Sequence, residues 1–551
     1  MLAWSIMKIG IAQLNAVIGD FPGNAKRLLQ AYRQCLEAGA ELVLTPELSL
    51  VGYPPLDLLL RSQFVPKCLQ ALDYLASEIK DVPLLVGYVD HNSSGKPGKP
   101  FRNAAAFMQG GEIRAKIFKT LLPACDAFDE RRYFEPPDSC APLEWRGRQL
   151  GITIGEDIWT EDHVAPPLYD RDPVRELRAK KIDLLLNLSA SPFHIGKPEL
   201  RRGMLSRIAR EAGVPLVYAN AVGAHDSLVF DGHSLVLSPA GHVSVQMSGF
   251  AEACETVDCH ALPDAEAHLP ATGNEQLHQA LVVGLRDYAA KCGFRSACLG
   301  LDGGIDSAVT AVLAAEALGP EHVHALTMPG PLSSPASVED SLALARRLGI
   351  RCDSVPITEV FSAVQSTLAT LIPGGRPDNT EQNLQDRLRG LYLMALANKH
   401  GHLLLSTGNK SELAVGYCTI HGDMWGGLAL ISDLPKTRVS KLARWLNHEQ
   451  EVIPWSIIRN APGAELRPDQ RDRDRLPPDE ILDDILELYV ERHLSVEEIV
   501  EHGFDEITVR WVQRHVDLNE WKRQQAAPGI HVTTRASFGP GRRVPIAQAF
   551  G

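Results

Sequence analysis

Apolar runs alternate with amphipathic segments along the first half of the chain. Residues 7–14 and 40–45 are typical of buried strands, and residues 24–38 between them have helical periodicity. A second helical pattern covers 65–79. Further strand-like runs occupy residues 83–89, 103–118, 184–188, 215–220 and 233–237. Strands that alternate with helices predict a layered α/β domain.

The second half repeats this alternation after a break. Residues 261–274 contain two prolines and few large apolar groups, which is typical of a domain boundary. Helical patterns at 275–292, 307–318 and 335–348 then alternate with short apolar strands. This order predicts an open, doubly wound parallel sheet that binds ligands at the carboxyl ends of its strands. We therefore predict a first domain over 1–262, a linker over 263–274 and a second domain over 275–551.

Composition narrows the class of protein without identifying it. A chain of 551 residues is too long for one core, and 45% apolar with 22% charged residues is ordinary for a globular protein. The net charge of −13 argues against a general nucleic-acid or membrane-surface role. The ten cysteines lack paired spacing, and the first residues lack a leader pattern. Together with the lack of a long apolar span, these features predict a cytoplasmic protein.

Reactive side chains stand at three predicted strand ends in the first half. Glu47 follows the strand at 40–45, Lys119 follows the strands at 103–118, and residues 151–159 form a strand-to-turn elbow. Such a set can form an acyl-transfer site, with the carboxylate as base and the lysine stabilising the oxyanion. The elbow residue would supply the nucleophile.

This half resembles the nitrilase (carbon–nitrogen hydrolase) superfamily, which uses a Glu–Lys–Cys triad. The runs LPACDAFDERRYF at 122–134, EDIW at 156–159 and NLSASPFHIGKPELR at 187–201 are similar to the glutamine amidotransferase domain of glutamine-dependent NAD+ synthetases. The resemblance implies a nitrilase-like αββα sandwich. It also implies Glu47 as general base, Lys119 as the triad lysine, and glutamine contacts at Ser191 and Lys197.

Two positions depart from that pattern. The position of the nucleophilic cysteine holds Gly155, which has no side chain to attack an amide. A tyrosine that borders the glutamine pocket is replaced by Cys125. Cys125 is open to two interpretations: a small apolar pocket residue, or a relocated nucleophile.

The run SACLGLDGGIDSA at 296–308 predicts a strand, a tight glycine turn and a helix N-terminus. Glycines let backbone N–H groups approach an anion, and the helix start adds a favourable dipole. Asp306 would hold a magnesium ion that accompanies phosphates. No GK[ST] follows the glycines, so the loop is not a Walker A motif. It resembles the SGGxDS pyrophosphate loop of ATP pyrophosphatases, although Asp302 replaces the first serine.

Later motifs narrow the resemblance to NAD+ synthetases. They are NLQDRLRG at 383–390, LLLSTGNKSELAVGYCTIHGD at 403–423, LISDLPKTRV at 430–439 and the tail FGPGRRVPIAQ. ATP contacts are implied at Gly300, Leu301, Asp302, Gly303, Gly304, Ile305, Asp306, Ser307, Thr407 and Lys436. Deamido-NAD+ contacts are implied at Asn383, Arg387, Glu412, Asp423 and Lys522, and magnesium ligands at Asp306 and Glu412. Arg389 would suit the same polyanion, and His421 replaces a tyrosine of the family.

The implied function is that of a ligase. The carboxylate of deamido-NAD+ would attack the α-phosphate of ATP, and ammonia from glutamine would then convert the adenylate to NAD+ and AMP. The substrates would be ATP, deamido-NAD+ and glutamine or ammonia, with Mg²⁺ as cofactor. The resemblance also implies a homo-oligomer with an internal ammonia passage.

Two alternatives remain at this stage. Gly155 favours an ammonia-dependent NAD+ synthetase with a silent amidase domain. Gly155 and Asp302 together would suit a non-catalytic nucleotide-binding protein. We further expect residues 373–383 to form a mobile loop over the nucleotide, residues 464–480 to be flexible, and residues 481–510 to be helical.

Overall fold

The computed structural model describes residues 7–124, 128–159, 169–263, 273–371, 378–459, 476–535 and 542–548. The chain divides between residues 271 and 272 into two compact units. This division falls within the predicted linker, most of which lies outside the described residues.

The strands of the first unit form two six-stranded sheets and a small hairpin. They are β1 (Lys8–Gln13), β2 (Leu42–Leu44), β3 (Leu84–His91), β4 (Phe101–Gln109), β5 (Glu112–Phe118), β6 (Leu143–Trp145), β7 (Arg148–Ile154), β8 (Leu184–Ser189), β9 (Leu216–Asn220), β10 (Val222–His225), β11 (Leu228–Asp231), β12 (Leu235–Leu237), β13 (Val243–Gln246) and β14 (Ala253–Asp258). One sheet has the order β14-β1-β2-β3-β4-β5 and the other β13-β12-β9-β8-β7-β6. The inner strands β1–β3 and β7–β9 pair in parallel.

The helices of the first unit cover the outer faces of these sheets. They are α1 (Phe21–Glu37), α2 (Phe64–Glu78), α3 (Pro173–Arg178) and α4 (Lys197–Ala212). Between the sheets, Ile9 and Leu44 of one pack with Ile152 and Leu186 of the other. Separate apolar clusters join α1 and α2 to the first sheet, and α3 and α4 to the second. The result is the predicted αββα sandwich.

The second unit is built on a five-stranded parallel sheet of order β17-β16-β15-β18-β19. Its strands are β15 (Ala297–Gly300), β16 (Val323–Thr327), β17 (Arg351–Ser354), β18 (Leu403–Ser406) and β19 (Leu428–Ala429). Its helices are α5 (Asn274–Cys292), α6 (Ile305–Leu318), α7 (Pro335–Leu348), α8 (Thr358–Leu368), α9 (Asn379–His400), α10 (Lys410–Val415), α11 (Lys436–Leu446), α12 (Trp455–Arg459), α13 (Asp479–Leu486), α14 (Val496–Glu501), α15 (Glu506–Leu518) and α16 (Glu520–Arg523). The predicted parallel α/β class is confirmed, and α13–α15 pack around one apolar cluster as a helical C-terminal part.

Two predicted flexible segments overlap helices where they are described. In the segment 373–383, residues from Asn379 onward belong to α9, because Asp378 and Glu381 form a capping box at its start. The rest of that segment up to residue 377 lies outside the described residues. Residues 460–475 are also outside them, and α13 begins at Asp479.

The predicted helical region 481–510 is interrupted rather than continuous. A π-helical turn at Glu487–Glu491 follows α13, and Ser495 then caps α14 through a capping box with Glu498. Among the described residues, no helix combines the length and apolar character needed to cross a membrane.

Candidate functional site

Glu47 and Lys119 meet in the interior of the first unit, each just beyond the end of a strand. Lys119 Nζ donates to Glu47 Oε1 at 2.7 Å, and the two side chains are each only 2% exposed. The Asn103 amide also donates to Glu47 Oε1 at 2.7 Å, and the backbone N–H of Ala190 donates to Oε2 at 3.3 Å. The carboxylate is therefore held by donors from three separate parts of the chain.

A second buried carboxylate, Glu130, completes this cluster and was missed by the sequence analysis. Lys119 Nζ donates to Glu130 Oε1 at 2.7 Å, and the Tyr53 hydroxyl donates to the same oxygen at 2.7 Å. Glu130 lies in the run FDERRYF, where the sequence does not distinguish it from the neighbouring charged residues. The only sequence signal for Glu130 is its place in the motif at 122–134, which also contains the pocket position Cys125.

Burial and charge act in opposite directions on this cluster. Burial alone would lower the pKa of the Lys119 ammonium, but the carboxylates of Glu130 and Glu47 raise it above its ordinary value. Burial raises the pKa of Glu130 despite the opposing effect of Lys119. Lys119 therefore stays charged, and it can compensate two acids at once.

Gly155 faces this cluster at the end of β7. It begins a 3₁₀ turn, Gly155–Ile158, with a φ of +50°. A Cβ atom built there would lie 2.3 Å from Glu47 Oε2 and 2.9 Å from Lys119 Nζ. The structure thus brings the predicted base, lysine and elbow together, while the Glu47 carboxylate extends into the space that an elbow side chain would need.

Asp157 holds the elbow in place. One of its carboxylate oxygens accepts from the backbone N–H groups of Thr120 at 2.8 Å and Leu121 at 2.7 Å, and the other accepts from Ile154 N–H at 3.1 Å. Because residues 120 and 121 follow Lys119 directly, this carboxylate ties the elbow to the lysine.

The two predicted glutamine contacts, Ser191 and Lys197, lie between the end of β8 and the start of α4. Ser191 is 7% exposed, and its backbone N–H donates to Asn220 Oδ1 at 2.9 Å. Lys197 opens α4 and places its Nζ 3.9 Å from the centre of the Trp159 ring. Cys125 lies outside the described residues, so both interpretations of it stay open.

In the second unit, the glycine loop joins the carboxyl end of β15 to the start of α6. Gly303 has a φ of +80°, and a Cβ atom there would lie 2.8 Å from the Ser337 backbone, so only glycine fits. The side chain of Asp302 turns back into the loop. Its Oδ1 accepts from the Gly304 N–H at 2.8 Å and from the Ser307 hydroxyl at 2.5 Å.

Asp306, one turn along, is bound differently. Its Oδ1 accepts from the Asn409 amide at 3.2 Å, and its Oδ2 forms an ion pair with the Lys436 ammonium. Asn409 caps α10, and Lys436 is the first residue of α11. Three motifs that are far apart in sequence therefore converge on one carboxylate.

Other predicted residues line the same wall. Thr407 follows β18, and Glu412 Oε2 accepts from the Asn409 N–H at 3.2 Å in the capping box of α10. The Lys522 ammonium donates to the carbonyls of Gly416 at 2.7 Å and Cys418 at 2.9 Å. These bonds hold the chain that leads from α10 toward Asp423.

The α9 residues contribute a polar strip. Thr419 Oγ1 lies 3.1 Å from Asn383 Oδ1 and 2.9 Å from Asp386 Oδ2, and its single proton can be donated to either oxygen. Arg389 pairs with Asp386 at 3.2 Å, and Arg387 donates to the Ile420 carbonyl at 3.2 Å. Asp386 was not singled out in the sequence, although it lies within NLQDRLRG.

These residues surround a cavity of about 1100 Å³ in the second unit. The loop residues 300–307 form one side, and Asn383, Thr407, Glu412, Asp423 and Lys522 line the rest with Lys436. Arg389 and Asp386 also reach it, whereas Arg387 is not among its lining residues. Among the described residues, no group of three or more His, Cys, Asp or Glu side chains could hold a metal ion on its own.

Comparisons with known proteins assign the two units to two different families. Residues 8–261 match the carbon-nitrogen hydrolase family, and residues 277–526 match the NAD synthase family. The chain is 45% identical to the glutamine-dependent NAD(+) synthetase of Synechocystis sp., covering 98% of this chain and 99% of that protein. It is 41% identical to the enzyme of that name from Thermotoga maritima, over 99% of both chains.

A solved structure shows the same relationship over nearly the full length. The glutamine-dependent NAD+ synthetase from Acinetobacter baumannii, in complex with ADP, superposes with a TM-score of 0.78 at 37% identity. The superposition covers 98% of this chain and 98% of that chain.

Proposed function

The chain belongs to the family of glutamine-dependent NAD+ synthetases, and we propose that its second unit forms NAD+ by ATP-dependent amidation of deamido-NAD+. The observation that carries this proposal is the convergence of the glycine loop, Asn409 and Lys436 on Asp306 at the wall of one large cavity. A cavity of this size and polarity suits two nucleotides, because both must be held by charge and by hydrogen bonds.

The reaction proceeds in two displacements. The carboxylate oxygen of deamido-NAD+ attacks the α-phosphorus of ATP, and the bond to the β-phosphate oxygen breaks, releasing pyrophosphate. Ammonia then attacks the carbonyl carbon of the adenylate, and AMP leaves with the shared oxygen. The ammonia nitrogen loses a proton to give the amide. No protein nucleophile takes part, so the residues act by alignment and charge neutralisation.

Residues on opposite sides of the cavity would hold ATP and deamido-NAD+. Backbone N–H groups at the start of α6 would face the phosphates of ATP, with Lys436 as a cation beside them and Thr407 close to the nucleotide. Asn383, Asp423 and Lys522 would contact deamido-NAD+ on the other side of the cavity, which they line. Arg389 faces the cavity too and would neutralise part of the dinucleotide charge.

The residues also fit a magnesium ion. Asp306 is 16% exposed at the cavity wall, and its present partners, an ammonium and an amide, are groups that a cation could replace. Magnesium in nucleotide sites takes one or two protein carboxylates and several phosphate oxygens, so three clustered acids are not needed. Asp306 would hold the ion, with Glu412 as the second carboxylate in reach of the cavity. When bound, the ion would reduce the negative charge of the phosphates.

In the first unit, Glu47 and Lys119 have the arrangement of an amidase base and its lysine. Covalent attack requires a nucleophile, and Gly155 offers none. In the family function, ammonia comes from glutamine. Because Gly155 has no side chain, it favours a second route here, in which free ammonia comes from solution. Both routes end in the same synthetase chemistry.

The test is NAD+ formation from deamido-NAD+, ATP and magnesium, with either glutamine or ammonium chloride. NAD+, AMP and pyrophosphate in equal amounts with ammonium would support the synthetase reaction. Equal rates with glutamine would show that the first unit delivers ammonia despite Gly155. Absence of NAD+ with saturating ammonium, at magnesium above the ATP concentration, would refute the proposal.

The family resemblance further predicts a homo-oligomer, an ammonia passage and a cytoplasmic location. These stay predictions. Light scattering on the purified chain would measure the number of subunits directly.

A further inference from the structure

Asp302 occupies donors that an anion would need. Its Oδ1 accepts from the Gly304 N–H, the group at the N-cap of α6, and from the hydroxyl of Ser307, which is 3% exposed. Ser307 Oγ has a second contact, with the Gly304 carbonyl at 3.1 Å. The hydroxyl can donate only one proton, and here it points to Asp302 or to that carbonyl.

The neighbouring aspartate has no such effect. Asp306 is held by Asn409 and Lys436, which lie on α10 and α11, and it takes no donor from the loop. Asp302 takes its two partners from the loop itself and lines the same cavity. The carboxylate therefore lies where the helix N-terminus favours negative charge, as a bound phosphate would.

We propose that the Asp302 carboxylate is a built-in competitor of the nucleotide phosphates, and that it sets the affinity for ATP by occupying the Gly304 and Ser307 donors. This proposal rests on the proposed function. Phosphates can enter this part of the loop only when the Asp302 side chain rotates away. Asp302 also adds a negative charge beside the incoming phosphates, so both its hydrogen bonds and its charge oppose binding.

Two substitutions separate these contributions. Asp302→Ala removes the acceptor and the charge, so that no carboxylate occupies the two donors. Asp302→Asn removes only the charge, because its amide oxygen can still accept from Gly304 and Ser307. We expect the Kd for ATP, measured by calorimetry on the full chain with magnesium, to fall at least about tenfold in D302A. D302N should lie between D302A and the wild type.

The matched control is Asp505, the N-cap of α15, whose carboxylate likewise accepts from one backbone N–H and one hydroxyl. Its Oδ2 accepts from the Thr508 N–H at 2.9 Å and from the Thr508 hydroxyl at 2.9 Å. D505A therefore loses an equivalent pair of hydrogen bonds outside the cavity and should leave the Kd unchanged. Thermal unfolding of D302A and D505A compares the cost of losing each pair of hydrogen bonds, and the isosteric D302N tests affinity if D302A folds poorly.

Steady-state rates with ammonium give a second readout. If Asp302 is a competitor, D302A lowers the KM for ATP and does not lower kcat. A fall in kcat with unchanged or weaker ATP binding would overturn the proposal, because Asp302 would then assist the reaction. Equal affinities in D302N and D302A would also overturn it, since charge alone would account for the effect.

The outcomes separate this proposal from the proposed function. Tighter ATP binding in D302A without NAD+ formation in any variant would refute the synthetase reaction but support the role of Asp302. NAD+ formation with an unchanged Kd in D302A would do the reverse. Absence of ATP binding in every variant would overturn both.

Discussion

The two candidate sites of this chain satisfy their charges in opposite ways. In the first unit, Lys119 is enclosed between Glu47 and Glu130, and all three side chains are at most 5% exposed. In the second unit, Asp306 and Lys436 pair at the edge of a cavity of about 1100 Å³. The first site is complete as a charge cluster without a ligand, whereas the second leaves room for one.

The difference shows which part of each site is structural. Buried ions that have lost water must be compensated by the protein, so removing one member of the Glu47–Lys119–Glu130 cluster destabilises the fold whether or not the cluster catalyses. In the proposed function, phosphates and a metal ion would replace the protein partners of the cavity groups. Removing a charge should therefore affect stability in the first unit and activity in the second.

The largest effect is expected for Asp306→Asn. Losing the carboxylate removes the predicted magnesium ligand and the partner of Lys436, while the amide preserves the shape of the side chain. NAD+ formation with ammonium should fall about a thousandfold, which corresponds to about 4 kcal/mol of transition-state stabilisation. Glu316→Gln, in the last turn of the same helix, is the control and should keep wild-type rates. Near-normal kcat in D306N would mean that Asp306 is a structural residue.

Lys119→Met should give the largest loss of stability. It leaves two buried carboxylates without their shared cation, which costs about 3 kcal/mol or more. Calorimetry of the full chain measures the shift of the melting transition. The control is Lys116→Met, on the strand β5 that leads into Lys119. It breaks a pair with Asp90 in which the lysine is 44% and the aspartate 9% exposed, so its effect should be smaller, about 1 kcal/mol.

The stability of the Lys119→Met variant should depend on pH in a defined direction. Burial raises the pKa of Glu130 from 4.5 to about 7, so the folded state binds a proton more readily than the unfolded state. Stability therefore falls as the pH rises from 4.5 to about 7. Without Lys119 this trend becomes steeper, so K119M should be less impaired at pH 5 than at pH 8. Equal losses at both pH values would contradict the buried-carboxylate explanation.

Gly155→Cys tests whether the closed site can be given its missing group. The new Cβ would lie 2.3 Å from Glu47 Oε2, so the carboxylate must shift, and the positive φ adds about 1 kcal/mol of strain. Glutamine-dependent NAD+ formation should rise at least about tenfold, with the ammonium rate unchanged. Gly155→Ala is the control, because it introduces the same Cβ without a thiol. Equal glutamine rates in both variants would show that the pocket itself is incompetent.

The smallest effect expected at neutral pH concerns His194 in the first unit. Burial lowers its pKa to about 4, so below pH 6.5 the unfolded chain gains a proton that the folded chain does not. The resulting loss of stability between pH 7 and 5 should be about 2 kcal/mol smaller in His194→Gln. Calorimetry at pH 7 and 5 measures it, with the exposed His502→Gln as control. An unchanged pH dependence in H194Q would contradict this assignment.

Much of the fold was predictable because its signals are local. The helix predicted at 335–348 is α7 at the same bounds, and the strand–turn–helix predicted at 296–308 is β15, the loop and α6. Periodicity and glycine turns depend on neighbouring residues only. The start of α9 was predicted as loop because the capping box between Asp378 and Glu381 was not recognised among polar residues.

The candidate sites depend on contacts that no local pattern contains. Sequence motifs predicted Glu47 and Lys119 as site residues. The role of Glu130 is visible only in the structure, where Lys119 bridges both acids. Likewise, the sequence shows only that Asp302 replaces a serine of the loop, whereas the structure shows its carboxylate bound to the loop's own donors.

The sequence by itself determined the α/β class, the order of two domains, the family, and the absence of a side chain at residue 155. Only the tertiary structure decided which charges compensate one another and where space remains. Glu47 and Lys119 are 72 residues apart, and Asp306 and Lys436 are 130 apart. Their pairing follows from how parallel strands bring distant loops to one edge of a sheet, and from the cost of burying a charge alone.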